Sequence, residues 1–163
     1  MKVIGIAFSD LHLGEYSKFN EDNKRTLNHI RVLYLIKDLC IKYKCPAFFC
    51  GDFMHRPEFI STSLDEIIIE QFEELNRCEE FNIYGISGNH DLQKSNTIER
   101  RSSSHWANLC RRYSFLHNID FSYHDFGKFR VVGIPYIDHN KGLDSLIKAE
   151  LKGAMLKPTI LLL

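Results

Sequence analysis

Three times in its first half the chain runs a short apolar segment straight into a polar loop and then into a segment of helical period. That order points to a parallel sheet with crossover helices, because strands joined through helices pair side by side in one direction. Residues 3–8 (Val-Ile-Gly-Ile-Ala-Phe), 47–50 and 82–86 read as the three buried strands. Between the first two, 26–43 places Leu27, Ile30, Leu33, Tyr34, Ile36, Cys40 and Tyr43 on one helical stripe, and Pro46 breaks the chain beyond it. Ser63 with Glu66 forms a capping-box pattern for a second helix whose Leu64, Ile67, Ile68, Phe72 and Leu75 share a face. A third helix is expected over 98–112.

From Phe115 onward the pattern changes. Short runs at 115–116, 120–123 and 129–134, separated by turn signals such as Phe126-Gly127-Lys128, predict antiparallel strands beside the α/β unit. A last helix over 143–151 and a further buried strand from Pro158 complete the reading. With no linker, repeat or low-complexity tract, 1–163 is expected to be a single domain, and 163 residues at 44% hydrophobic suffice for its core.

Lys plus Arg equals Asp plus Glu, at 21 each, so no overall field announces a nucleic-acid or membrane partner. No apolar run reaches the roughly 18 residues of a spanning helix, and the N-terminus lacks the pattern of a secretion signal. The expectation is a cytoplasmic protein, or one in the nucleic-acid compartment of the host cell, neither secreted nor membrane-bound. Cys40, Cys45, Cys50, Cys78 and Cys110 contain no CxxC pair, which argues against a disulfide framework and a zinc ribbon.

The three strand ends carry the chemistry. In open α/β sheets the loops at the carboxyl ends of strands converge on one crevice. Here they supply Ser9-Asp10-Leu11-His12, Gly51-Asp52-Phe53-Met54-His55-Arg56 and Gly88-Asn89-His90-Asp91. Two carboxylates, an imidazole and an amide oxygen suit borderline divalent ions such as manganese, iron or zinc, whereas magnesium prefers oxygen alone. A carboxylate of the middle loop can bridge two ions about 3.5–4 Å apart, the arrangement for in-line phosphoester hydrolysis. His90, beside Asn89 yet free to face a substrate, is suited to protonating the leaving oxygen.

These blocks resemble the calcineurin-like metallophosphoesterases, whose D-x-H, G-D and G-N-H-[DE] motifs are all present. Within that superfamily, SDLHLGE at 9–15, GDFMHRP at 51–57, ISGNHD at 86–91 and GIPY at 133–136 are similar to the SbcD-type DNA double-strand-break-repair nucleases. The resemblance implies a β-sandwich flanked by helices. It implies two divalent metal ions, with manganese the first choice and magnesium, iron or zinc the alternatives. Asp10, His12 and Asp52 would hold one ion, Asp52 and Asn89 the other. His90 would be the catalytic histidine, and His55, Arg56 and Asp91 substrate contacts. DNA and an SbcC-type ATPase subunit are the implied partners, with a homodimer as a further expectation. A small phosphodiester substrate and a non-catalytic binding module are the alternatives.

The sequence also departs from the resemblance. A histidine after a later strand and a subsequent G-H-x-H block are absent, so the domain is expected to be C-terminally incomplete, its second metal site weak, and its remaining half supplied by a separate chain. His105, His117, His124 and His139 do not stand in the context of replacement ligands. Lys94, Arg100, Arg101, Arg111 and Arg112, against Glu99 alone, form a basic cluster that either meets DNA phosphates or is a solvated helix face. Trp106 and Leu109 on the same helix are either core or a dimer contact.

Overall fold

Strands β1 (Ile6–Phe8), β2 (Ala47–Phe49), β3 (Ile83–Gly85) and β4 (Leu116–Asn118) lie side by side in that order, all parallel. Helices α1 (Lys24–Tyr43), α2 (Thr62–Asn76) and α3 (His105–Arg112) intervene between them along the chain. A second sheet contains β5 (Ser122–Asp125), β6 (Arg130–Gly133) and β7 (Thr159–Leu162), with β5 antiparallel and β7 parallel to β6. This computed structural model describes residues 2–14, 16, 23–55, 61–92, 104–137, 147–148 and 157–163.

The two-residue period of a strand sorts the side chains of the first sheet into two cores. Ile6, Phe8, Ala47, Phe49 and Ile83 join apolar residues of all three helices, among them Ile30, Leu33, Leu64, Phe72 and Trp106. One residue out of phase, Phe48 and Tyr84 join Val131, Phe126, Phe129 and Leu162 of the second sheet's region. Helices therefore cover one face of the parallel sheet and the second sheet covers the other, which is the sandwich expected from the resemblance. Gly85 stands where this packing is close: a β-carbon there would lie 2.7 Å from Phe49 Cβ and 2.8 Å from Trp106.

The α1 stripe is buried through Ile30, Leu33, Ile36 and Cys40, but Tyr43 is 42% exposed because the helix ends there, with Lys44 left-handed at φ 51°. The second helix begins earlier than its capping box predicted. Ser61 is still extended, and its hydroxyl accepts from Leu64 N at 3.3 Å, while Ser63 already lies in the first turn. β4 corrects the expectation of antiparallel strands from Phe115 onward. Asn76, at the end of α2, accepts from Ser114 N at 2.8 Å and fixes the chain's return from α3, so β4 extends the parallel sheet beside β3.

Trp106 is fully buried and donates to Gly85 O at 3.0 Å, which makes it core and excludes it as a dimer contact; Leu109 packs against the same core. All five cysteines are free. Of the expected helix at 143–151 only Ile147 and Lys148 are described, and they are helical. Lys94, Arg100 and Arg101 of the basic cluster lie outside the described residues, while Arg111 and Arg112 are exposed on α3. No helix among the described residues is long and apolar enough to cross a membrane.

Asp125 ties the second sheet together. Its carboxylate accepts from Lys157 Nζ at 2.9 Å, from Arg130 Nε at 3.1 Å and from Gly127 N at 2.8 Å, linking β5 to the residue leading into β7. The Lys157 ammonium, with the Gly127 amide and the Arg130 guanidinium, holds this carboxyl down to about 2. A carboxyl lowered in the folded state stabilises it above the unfolded pKa, near 3.9, and that contribution is lost as pH falls toward 2. Urea midpoints are therefore expected to drop between pH 5 and pH 2.5 in the parent chain. The drop should be smaller in Asp125→Asn, and smaller in the parent at high salt.

Candidate metal centre

β1, β2 and β3 end level, Phe8 beside Phe49 and Phe49 beside Gly85, so the loops that follow leave the sheet together. The first two loops continue the parallel pairing beyond the strands. Asp10 N donates to Gly51 O at 3.0 Å, His12 N to Asp52 O at 3.0 Å, Leu13 N to Phe53 O at 2.8 Å and His55 N to Leu13 O at 2.8 Å. Within this pairing Asp10, His12 and Asp52 hold left-handed backbone, at φ 55°, 46° and 64°. Such a conformation costs a non-glycine residue about 1 kcal/mol or more and persists where surrounding bonds over-determine it. The Tyr16 hydroxyl adds one such bond by donating to the His12 carbonyl.

The side chains converge on Asp52. Ligand atoms of Asp10, His12 and Asp52 lie within 4.8 Å of one another. His90 N donates to Asp52 Oδ1 at 2.9 Å. With its amide nitrogen set toward Asp52, Asn89 donates to both carboxylate oxygens, at 3.0 and 2.9 Å. Turned over, the same amide would present its oxygen at that place, so Asn89 serves Asp52 either as a donor or as a fellow ligand. Asp10 is open to solvent, its side chain 64% exposed, and His12 Nε2 stands 3.4 Å from Asp10 Oδ1. His12 Nδ1 is buried with no hydrogen-bond partner among the described residues. Carboxylate, imidazole and amide donors at this spacing fit a borderline divalent ion.

A second group gathers beside the first. Ligand atoms of His12, His55 and His90 lie within 4.8 Å of one another. The His55 and His90 rings are stacked, with centroids 5.9 Å apart, and Tyr16 stacks on His55 at 5.0 Å. His90 Nδ1 lies 2.9 Å from the His55 carbonyl. A carbonyl only accepts, so Nδ1 carries the hydrogen, and Nε2 is left as the atom that gives or takes a proton. His55 thus orients His90 through its backbone, which its sequence context did not signal. A cleft of ≈ 250 Å³ opens beside Asp10, Asp52 and Asn89, walled by Ile134, Pro135, Tyr136 and Leu163.

A profile of the calcineurin-like phosphoesterase family matches residues 6–153. The chain belongs to that family. Its members are metal-dependent phosphoesterases that use divalent ions. No curated protein matches the chain. Among solved structures, the Pseudomonas putida nuclease MPE is similar at 14% identity over 83% of this chain and 56% of that one, with a TM-score of 0.45. The chain spans little more than half the length of that structure.

Seen as a calcineurin-like phosphoesterase, the chain brings together Asp10, His12, Asp52, Asn89, His90 and His55. Arg56 lies outside the described residues. Asp91 does not stand where a substrate contact is expected, because it is fully buried and backbone groups occupy both its oxygens. Phe53 N and Met54 N donate to Oδ1 at 2.9 and 3.0 Å, and Asp52 N and Gly88 N to Oδ2 at 3.0 and 2.9 Å. Burial raises this carboxyl to about 6, with the nearby Asp52 charge adding to the rise and the Gly88, Met54 and Phe53 amides opposing it. The four candidate replacement histidines stay out of the cluster at Asp52 as far as they are described. His117 and His124 pack on Tyr84 at 4.4 and 4.3 Å, His105 opens α3, and His139 lies outside the described residues.

Two substitutions separate the frame from the ligands. Asn at 91 would turn an amide NH₂ against backbone N–H donors, so Asp91→Asn is expected to lose about 2–4 kcal/mol in urea unfolding. A β-carbon at Gly88 would lie 2.1 Å from Asp52 Oδ1 and 2.2 Å from Asp52 N. Gly88→Ala must therefore displace Asp52, and its manganese affinity, read by electron paramagnetic resonance of the free ion, should fall about tenfold or more.

Proposed function

We propose that the chain carries the catalytic centre of a metal-dependent DNA nuclease of the SbcD type, hydrolysing phosphodiester bonds in DNA recombination, repair or replication. Manganese is the proposed metal, and DNA and an SbcC-type ATPase subunit are the proposed partners. The observation that carries the reading is the convergence on Asp52, which Asn89 and His90 both touch and to which Asp10 and His12 stand adjacent. The nuclease branch is supported by the similarity of the 9–15, 51–57, 86–91 and 133–136 segments and by His55 lying against His90.

Asp10, His12, Asp52 and Asn89 would hold divalent ions, whose chemistry there would be to polarise a phosphoryl oxygen and make water nucleophilic at neutral pH. The chain's own residues then divide the work. Asp10, His12, Asp52 and Asn89 bind. His90, its Nδ1–H tied to the His55 carbonyl, presents Nε2 to the leaving oxygen and, when both ring nitrogens are protonated, gives the Nε2 proton to it and is left neutral. His55, half-buried at the edge of the same group, is placed to steer the DNA backbone toward Asp52.

The test compares cleavage of linear duplex DNA with turnover of a small chromogenic diester, both with manganese, in the parent chain and in His90→Asn. DNA cleavage lowered about 10²–10⁴-fold by His90→Asn, with manganese affinity kept, is the expected result. Turnover of the small diester alone would replace the nuclease with a small-substrate phosphodiesterase. Manganese binding without either activity would make the chain a binding module.

A further inference from the structure

Ser87 immediately precedes the turn that carries Asn89 and His90, and all its polar atoms are engaged. Its N–H donates to Asp120 Oδ1 at 2.8 Å, and its hydroxyl lies 2.6 Å from Asp120 Oδ2 and 2.7 Å from Ser104 Oγ. Its carbonyl accepts from Tyr136 N at 3.0 Å. A carboxylate only accepts, so the Ser87 proton goes to Asp120, and the Ser104 hydroxyl donates to Ser87. Ser104 Oγ accepts in turn from Ala107 N at 2.9 Å and caps α3. Ser87 and Ser104 are both fully buried.

Asp120 lies outside the metal-centre motifs, 33 residues beyond Ser87 in the connection from β4 to β5, where it also bridges to Gly133 of the second sheet. We propose that Asp120 is a positioning residue for the metal centre, setting through Ser87 the turn that presents Asn89 and His90. This rests on the reading of the Asp52 cluster as a metal site.

The geometry favours positioning over packing alone. Consecutive residues of one loop give their N–H groups to two different carboxylates, Ser87 to Asp120 and Gly88 to Asp91. Asp91 fixes the turn against the Asp52 loop, and Asp120 fixes its root to the far sheet. Asn89 is exposed and His90 half-buried, and their polar contacts run to Asp52 and to the His55 carbonyl. Neither contact restrains the start of the turn. Two parallel hydrogen bonds from one residue to one carboxylate define an orientation as well as a distance, and charge makes them roughly twice as strong as neutral ones.

The test measures manganese affinity by electron paramagnetic resonance and stability by urea in Asp120→Asn, Ser87→Ala and Ser104→Ala. Asp120→Asn and Ser87→Ala should lower manganese affinity about ten- to a hundredfold. Ser104→Ala removes the α3 cap while leaving Asp120 on Ser87, so it should lose stability and keep its affinity within about twofold. Unchanged affinity in Asp120→Asn and Ser87→Ala would overturn the proposal and leave Asp120 a structural residue. So would an affinity loss in Ser104→Ala equal to theirs. If Asp120→Asn fails to fold, Ser87→Ala decides, since it removes a single oxygen. A parent chain that binds no manganese would instead overturn the metal-centre reading itself.

Discussion

The Asp91 carboxylate collects four backbone N–H groups from two loops that leave neighbouring strands, and the geometry around Asp52 follows from that bond set. An ionised acceptor is the one group able to satisfy so many converging donors in a site closed to water. Its burial raises the carboxyl to about 6, and the same burial makes each of those bonds count for more. With the loops joined in this way, Asp52 is held at φ 64°, a left-handed conformation that costs a residue with a side chain and is kept by the bonds around it.

The rest of the molecule serves the same end. Phe49 and Gly85 lie level with Phe8, so three loops depart from one edge of the sheet. Glycine at 88 allows that loop's backbone to lie directly on Asp52. On the far side, the cleft takes its apolar wall from residues following β6 and β7, so both sheets border one site. The sandwich thus sets the separation between the charged edge and its apolar wall, a relation no single loop contains.

Much of this was legible along the chain. The apolar runs ending in Asp10, Asp52 and Asn89 announced both the parallel sheet and the gathering of these side chains at one edge, because a strand's exit loop must lie at the crevice wherever the sheet packs. The stripe of Ile30, Leu33, Ile36 and Cys40 was visible for the same kind of reason, as period and burial are one fact in a helix. Other features were not legible. The sequence pattern pointed to Ser63 as the cap of the second helix, whereas the backbone is extended at Ser61 and makes that residue the cap. β4 had the composition of an antiparallel strand and became parallel because of where α3 returns the chain. Asp91 carried a motif that suggested substrate, yet its partners lie up to 39 residues away.

The sequence alone determined the alternation of strand and helix, the residue types at the strand ends and the chemistry they can support. These depend on local period and composition, which neighbouring residues carry. Only the tertiary structure decided that Asp91 would be frame and not contact, that the His55 backbone would set the His90 tautomer, and that Asp120 would hold Ser87. Each of these is a hydrogen bond between segments more than 30 residues apart. Such bonds leave no periodic trace, because their geometry exists only once the loops have been brought to the same edge of the sheet.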